Sequence, residues 1–180
     1  MILEQWAPFV VSEPSEGAET AKSALPPRSI DTLEGVGDRM RAAAFAEFQA
    51  IVAFGWAADR FTDAPIELRD AWRALCADEE RHYTSIMNRM KELGIDPAGR
   101  AVSDRLWQSL KVCTTGRQFA HFIANAEERG RRAGLRFHQE LKERDPETAA
   151  VFLQIVEEEV SHVALAQRFY PSETLAPNAR

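Results

Sequence analysis

Cysteine, long apolar runs and an excess of basic charge are scarce or missing in this sequence of 180 residues. Its two cysteines, Cys76 and Cys113, stand alone, so neither a disulfide framework nor a rubredoxin-type iron site is expected. No apolar run approaches the roughly 18 residues of a membrane-spanning helix. The net charge of -6 gives no electrostatic reason to expect binding to nucleic acid or to an anionic membrane.

The beginning of the chain lacks the features of an export signal. Between Met1 and Val11 there is one acidic residue, Glu4, and no basic residue precedes the short apolar stretch. A cytoplasmic protein with no membrane span is therefore the expectation. Only 9 glycines, together with 45% hydrophobic residues, suit a single helical domain that is large enough to bury a core.

Apolar residues recur with the period of an α-helix from about Asp31 onward. The first helix is expected to end at a short break, Phe61–Pro65, which forces an antiparallel neighbour. The second runs to about Leu93, because Gly94 is a natural helix stop. Residues 95–114 then form a long connection with a short helix inside it.

Two further helix starts follow this connection. Thr115-x-x-Gln118 matches a capping box, and Asp145-Pro146 matches a cap followed by a first helical turn. The sequence therefore predicts an all-α fold, a four-helix bundle of two antiparallel hairpins joined by a long crossover. An N-terminal arm, the bundle and a C-terminal tail are expected at residues 1–30, 31–170 and 171–180.

The arm is expected to be partly irregular, because prolines interrupt it. Its large apolar side chains include Trp6 and Phe9. They could dock either on the bundle or on a second subunit, and the second arrangement would give a homodimer.

One spacing occurs twice in the chain. Glu47 is followed 32 residues later by Glu79 and then by His82, and the same spacing joins Glu127 to Glu159 and His162. A Glu from each of two helices and a Glu-x-x-His from each of the other two is the ligand set of di-metal carboxylate bundles. The six predicted metal ligands are therefore Glu47, Glu79, His82, Glu127, Glu159 and His162.

The donor types of this set limit the metal. Residues three apart on a helix share a face, so Glu79 with His82 can hold one ion and Glu159 with His162 another. Carboxylate oxygens with one imidazole per metal suit iron or manganese better than a metal that prefers thiolates. The expected cofactor is two iron ions, with manganese possible at one or both positions. The competing interpretation is a solvated, Glu-rich helix face. It is disfavoured because each residue lies on the apolar stripe of its helix.

The segment Asp78-Glu79-Glu80-Arg81-His82 resembles the Asp-Glu-x-Arg-His string of oxygen-activating di-iron enzymes. This resemblance implies that Asp78 accepts a hydrogen bond from the opposite metal-bound histidine and that Arg81 holds Asp78. In the second half of the chain, Glu158 stands in the Asp position and Ser161 in the Arg position. Part of the supporting shell therefore departs from the pattern.

From about Pro26 to Tyr170 the chain resembles bacterial ferritin-like proteins, grouped as a domain of unknown function near the tRNA hydroxylase and rubrerythrin branches. The resemblance implies a ferritin-like bundle with a di-iron site, and the family pattern has a His where this chain has Phe45. It is carried by the segments Glu47-Phe48-Gln49-Ala50-Ile51, Asp78-Glu79-Glu80-Arg81-His82, Asp104-Arg105-Leu106-Trp107, Glu127-Glu128-Arg129-Gly130 and Glu159-Val160-Ser161-His162.

Three functions fit these observations. The first is a non-haem di-iron oxidoreductase that activates O2 or peroxide, with an external reductant and a small or apolar substrate. The second is iron handling of the ferroxidase or ferritin type. For the oxidoreductase, the apolar lining of the metal site would be formed by Ile51, Phe54, Ile86, Ile123 and Phe152.

The third function is tRNA hydroxylation, which the resemblance to the tRNA hydroxylase branch implies, and the basic residues of the third helix could contact phosphate. Acidic residues interrupt this series, so an ion-paired solvated face is expected and nucleic acid is not an expected partner. The basic residues are Arg129, Arg131, Arg132, Arg136, Lys142 and Arg144, and the acidic ones are Glu128, Glu140 and Glu143.

Overall fold

The computed structural model describes residues 6–12 and 26–171. Within these ranges it contains five helices and no strand, which confirms the prediction of an all-α bundle. The parts of the predicted arm at 1–5 and 13–25, and the predicted tail beyond Pro171, lie outside the described residues. No helix of the described part is long and apolar enough to cross a membrane.

The first hairpin consists of α1 (Leu33–Arg60) and α2 (Ile66–Glu92). Thr32 caps α1 by accepting a hydrogen bond from the backbone N–H of Gly35. Past the end of α2, Gly94 has a φ of 67°, a left-handed conformation that glycine adopts without steric cost. The predicted stop of the second helix is therefore confirmed.

The crossover contains the short helix α3 (Arg105–Leu110), as expected, and leads into the second hairpin, α4 (Gly116–Leu141) and α5 (Pro146–Phe169). Thr115 caps α4 by accepting from the N–H of Gln118. The second hydrogen bond of the predicted capping box differs from the usual one. The Gln118 side chain accepts from the N–H and hydroxyl of Thr114 and not from the N–H of the cap residue Thr115. The Asp145 side chain caps α5 at the N–H of Thr148.

The two hairpins pack mainly through α2 and α5, whereas α1 and α4 are in looser contact. Two apolar clusters fill the interior at opposite ends of the bundle. One is built around Trp72 and Phe119, and the other around Phe45 and Ile86. The Glu and His side chains of the repeated spacing lie on the helix segments between these two clusters.

The described part of the N-terminal arm docks on the chain's own bundle, one of the two arrangements expected from the sequence. Trp6 is fully buried and meets Phe45 edge to face at 5.3 Å, and Phe9 packs on the same ring at 5.1 Å. Val11 forms a bridge with Val102 of the crossover. Phe45 is thus the apolar side chain on which this arm packs.

A buried carboxylate joins the chain before α1 to the crossover. The Asp38 side chain is 3% exposed and accepts hydrogen bonds from Arg28 (2.7 Å) and Arg41 (3.3 Å), and it pairs with Arg100. The hydrogen bond from Arg28 is the main reason that the pKa of Asp38 lies far below its usual value. This carboxylate fixes three segments of the chain against one another.

Candidate metal centre

All six predicted ligands come together in the middle of the bundle, and each of the four long helices contributes. Glu79, His82, Glu127, Glu159 and His162 are buried, and Glu47 is partly buried. Glu47, Glu127 and Glu159 line one shared pocket. That these residues bind metal stays a prediction, and their geometry shows what they could hold.

Glu79 and Glu159 lie between the two histidine rings. The Nδ1 atom of His162 is 2.9 Å from Glu79 Oε1 and 3.4 Å from Glu159 Oε1. The Nδ1 atom of His82 is 3.4 Å from Glu159 Oε1 and 3.6 Å from Glu79 Oε2. Each histidine therefore faces both carboxylates, which is the arrangement needed for two ions that share bridging ligands.

The donor atoms at the centre lack hydrogen-bond partners within the described part of the chain. Both carboxylate oxygens of Glu79 and of Glu159, and the Nδ1 atoms of His82 and His162, are buried and unsatisfied. Leaving such a group unpaired costs about 1–3 kcal/mol, and more where it is charged. Ligand atoms of Glu47, Glu79, His82 and Glu159 lie within 4.8 Å of one another, so metal ions would satisfy them.

The charges of the metal-free centre are strongly perturbed. Desolvation, followed by repulsion from neighbouring carboxylates, raises the pKa values of Glu47 and Glu127 well above normal. Burial opposes protonation of the imidazoles, but the close contacts of each Nδ1 atom with the carboxylates of Glu159 and Glu79 outweigh it. They raise the pKa of His82 to about 9 and that of His162 to about 10.

The stability of the metal-free protein should fall as the pH rises from about 6.5 to about 10. The raised pKa values of His82 and His162 contribute stability that is fully present below 6.5 and is lost as the pH passes about 9 and about 10. Glu159 acts in the opposite sense, because contacts with the histidines overcome burial and lower its pKa to about 2. Its contribution is complete above 4.5 and is constant in this window. Thermal unfolding of chelator-treated protein across this range measures the effect.

Manganese-loaded protein is the control for this pH dependence. Metal ions replace the protons of the ligand histidines, so the unfolding temperature of the loaded protein should change less over the same range. A metal-free protein whose unfolding temperature stays constant from about pH 6.5 to about pH 10 would contradict the assigned shifts.

One arginine, Arg81, pairs with the two carboxylates that contact the Nε2 atoms of the histidines. The Nε2 atom of His82 lies 3.0 Å from Glu158 Oε2, and the Nε2 atom of His162 lies 3.5 Å from Asp78 Oδ2. Arg81 pairs with both of these carboxylates, at 3.1 Å in the case of Glu158. Ser161 does not take the place of an arginine, because its hydroxyl donates to the backbone oxygen of Glu158. Arg81 therefore serves both halves of the centre.

The neighbouring acidic and histidine residues do not join the cluster. Glu80 and Glu157 are exposed, and Glu128 pairs with Arg131 and Arg132 on the surface of α4. The Nδ1 atom of His138 lies 2.9 Å from the backbone oxygen of Ala149, a structural contact between α4 and α5.

A pocket of about 610 Å³ opens between α1 and α4 and reaches the centre. Sequence reasoning did not identify this pocket or the arginines that line it, among them Arg39 and Arg136. Arg39 lies off the apolar stripe of its helix, so the periodicity alone assigns it to the solvated face. Only the loose packing of α1 against α4 places it beside the pocket.

Comparison with known proteins relates most of the chain to one protein family. The profile of a family described as "Protein of unknown function (DUF455)" matches residues 5–175. No curated protein and no solved structure matches the chain.

Proposed function

The chain belongs to this family of unknown function (DUF455), and from its own site we propose that it is a ferritin-like di-iron carboxylate oxidoreductase. It would activate O2 or peroxide in the core of the bundle. The observation that carries the proposal is the set of six buried donor atoms without hydrogen-bond partners in the described part. A bundle built for stability alone would place apolar side chains there.

Two iron ions fit the donor set, because each would have one imidazole and shared carboxylates. Glu79 and Glu159, which lie between the histidines, would be shared, and Glu47 and Glu127 would complete the two ions. Four carboxylates and two divalent ions also balance in charge. When bound, the pair of ions would supply electrons and open coordination positions for O2 or peroxide.

The protein's own residues orient the ligands and exclude water. Glu158 forms a hydrogen bond with the Nε2 atom of His82, and Asp78 lies 3.5 Å from the Nε2 atom of His162, so the Nδ1 atom of each ring faces the centre. Phe54, Ile86 and Ile123 are at most 3% exposed and make the surroundings apolar. In such surroundings the carboxylates interact strongly with cations.

The surface of α4 does not favour the tRNA-hydroxylase alternative. Arg131 and Arg132 pair with Glu128, and Arg144 pairs with Asp31. These guanidinium groups are partly neutralised, which weakens the case for a phosphate-binding face. The pocket that reaches the centre favours a bound substrate over iron storage.

The test is O2 and peroxide consumption by protein that has been loaded anaerobically with ferrous iron. We expect consumption faster than that of the same concentration of free ferrous iron. The Glu47→Ala, Glu127→Ala double variant should consume no faster than free iron, and Glu157→Ala, which alters an exposed residue of α5, should match the parent protein. Iron-loaded parent protein that consumes neither oxidant faster than free iron would end the oxidoreductase proposal.

A further inference from the structure

The pocket between α1 and α4 is the route from the surface to the carboxylate centre. Its inner end is formed by Glu47, Glu127 and Glu159, and its volume of about 610 Å³ is in the range of small-molecule sites. Small residues line both helices where they face the pocket, among them Ala46 and Gly130. A Cβ atom added at Gly130 would meet no atom within 4 Å, so the space beside α4 is open at this residue.

The walls of the pocket are apolar. Phe137 and Phe152, whose rings meet edge to face at 4.7 Å, line it together with Ile155 and Val156 of α5. These four side chains are between 5% and 7% exposed. An apolar molecule would displace water from them, and this provides the main favourable free energy for binding.

Two arginines with unused donors also line the pocket. Arg39 is held in place because its Nη1 donates to the backbone oxygens of Arg28 and Gly35, both at 2.8 Å. Its Nη2 and Nε have no partner among the described residues, and the exposed Arg136 has none there for any of its donors. Arg131 lines the pocket too, but Glu128 neutralises it.

The arginines are separated from the carboxylate centre along the helix axes. At the rise of an α-helix, Arg39 lies about 12 Å from Glu47 along α1, and Arg136 lies about 14 Å from Glu127 along α4. Both helices therefore place positive charge at a similar distance from the centre. An extended molecule of this length would place its head group at the arginines and its tail near the ligands.

We propose that this pocket binds an amphipathic anion, an apolar chain with one carboxylate or phosphate head group, oriented with the head at Arg39 and Arg136. The charge of the arginines matches the head group, and the apolar walls match the chain. Glu140 also lines the pocket and opposes an anion, so it limits the affinity. The role of this molecule as the substrate rests on the proposed function, whereas its binding in the pocket does not.

The experiment is isothermal titration calorimetry on the full chain, metal-free and manganese-loaded, with ligands of equal chain length. The probes are decanoate, decyl phosphate, decanol and decyltrimethylammonium, each below its micelle concentration. We expect both anions to bind at least about tenfold more tightly than the alcohol, and the cation to bind least. Decanoate should bind with similar affinity in both forms of the protein, because its carboxylate would lie at the arginines, about 12 Å from the metal centre.

Variants separate the two parts of the pocket. Gly130→Leu should fill it and weaken decanoate and decanol alike, about tenfold or more, whereas Gly130→Ala should stay within about twofold of the parent. Arg136→Gln should weaken decanoate by about three- to tenfold without changing decanol, and Glu140→Gln should tighten decanoate.

Three results would overturn the proposal. These are equal affinity for decanoate and decanol, unchanged binding in Gly130→Leu, and decanoate binding that depends on the metal. If decanoate binds as expected but iron-loaded protein consumes no oxidant, the pocket assignment stands and the oxidoreductase proposal fails. If the iron-loaded protein consumes oxidant but decanoate does not bind, the oxidoreductase proposal stands and the pocket assignment fails.

Discussion

Replacing Glu79 with alanine should remove metal binding at the centre. The parent protein, reloaded anaerobically with ferrous iron, is expected to hold about two ions per chain, and Glu79→Ala well under one. Glu79 is fully buried and lies between His82 and His162, so its loss removes a carboxylate from both metal positions. Elemental mass spectrometry after gel filtration measures the metal content per chain.

The matched control is Glu80→Ala, one residue further along α2 and exposed to solvent. It should bind as much metal as the parent protein. Glu79→Gln keeps the side-chain volume and separates loss of a ligand from loss of packing, so it should also lose most of the metal. A Glu79→Ala protein that retains two tightly bound ions would place the metal elsewhere and sink the assignment.

Replacing Asp38 with alanine should lower the free energy of unfolding by about 3–5 kcal/mol. The Asp38 side chain is 3% exposed, and that of its partner Arg41 is 9% exposed. Removing the carboxylate leaves the Arg41 guanidinium buried beside Arg100 without its counter-ion. Because domains are stable by only about 5–15 kcal/mol, this is a large share of the total, and urea denaturation measures it.

The control for this variant is Asp59→Ala. Asp59 pairs with Arg73 at 2.9 Å, but the Asp59 side chain is 80% exposed and water can replace its partner. We expect little change in the free energy of unfolding. If Asp38→Ala costs no more than Asp59→Ala, the buried cluster has no special role in joining the three segments.

The clustering of the Glu and His side chains could be predicted from the sequence, because the spacing that places them on one helix face is local. The spacing from Glu79 to His82 fixes one helix face, and the second copy at Glu159 and His162 repeats it. The helix ends could be predicted from local sequence as well. Gly94, for example, follows α2 with a positive φ that glycine adopts without steric cost.

The roles of Arg81 and Phe45 depend on tertiary contacts and could not be predicted. Which side of α2 meets Glu158 is set by the packing of α2 on α5, and no spacing within α2 encodes it. Phe45 appeared as a departure from a family pattern, whereas the structure gives it two aromatic partners, Trp6 and Phe9. The pocket between α1 and α4 is likewise a property of the gap between two helices.

Because Arg81 pairs with the carboxylates behind both histidines, the two halves of the chain are not interchangeable. Two copies of the first hairpin would contain the full ligand set and two such arginines. Two copies of the second hairpin would contain the same ligand types but no such arginine, since Ser161 occupies the position that corresponds to Arg81. A symmetric minimal version of this bundle should therefore be constructed from α1 and α2, because the second hairpin relies on Arg81 of the first.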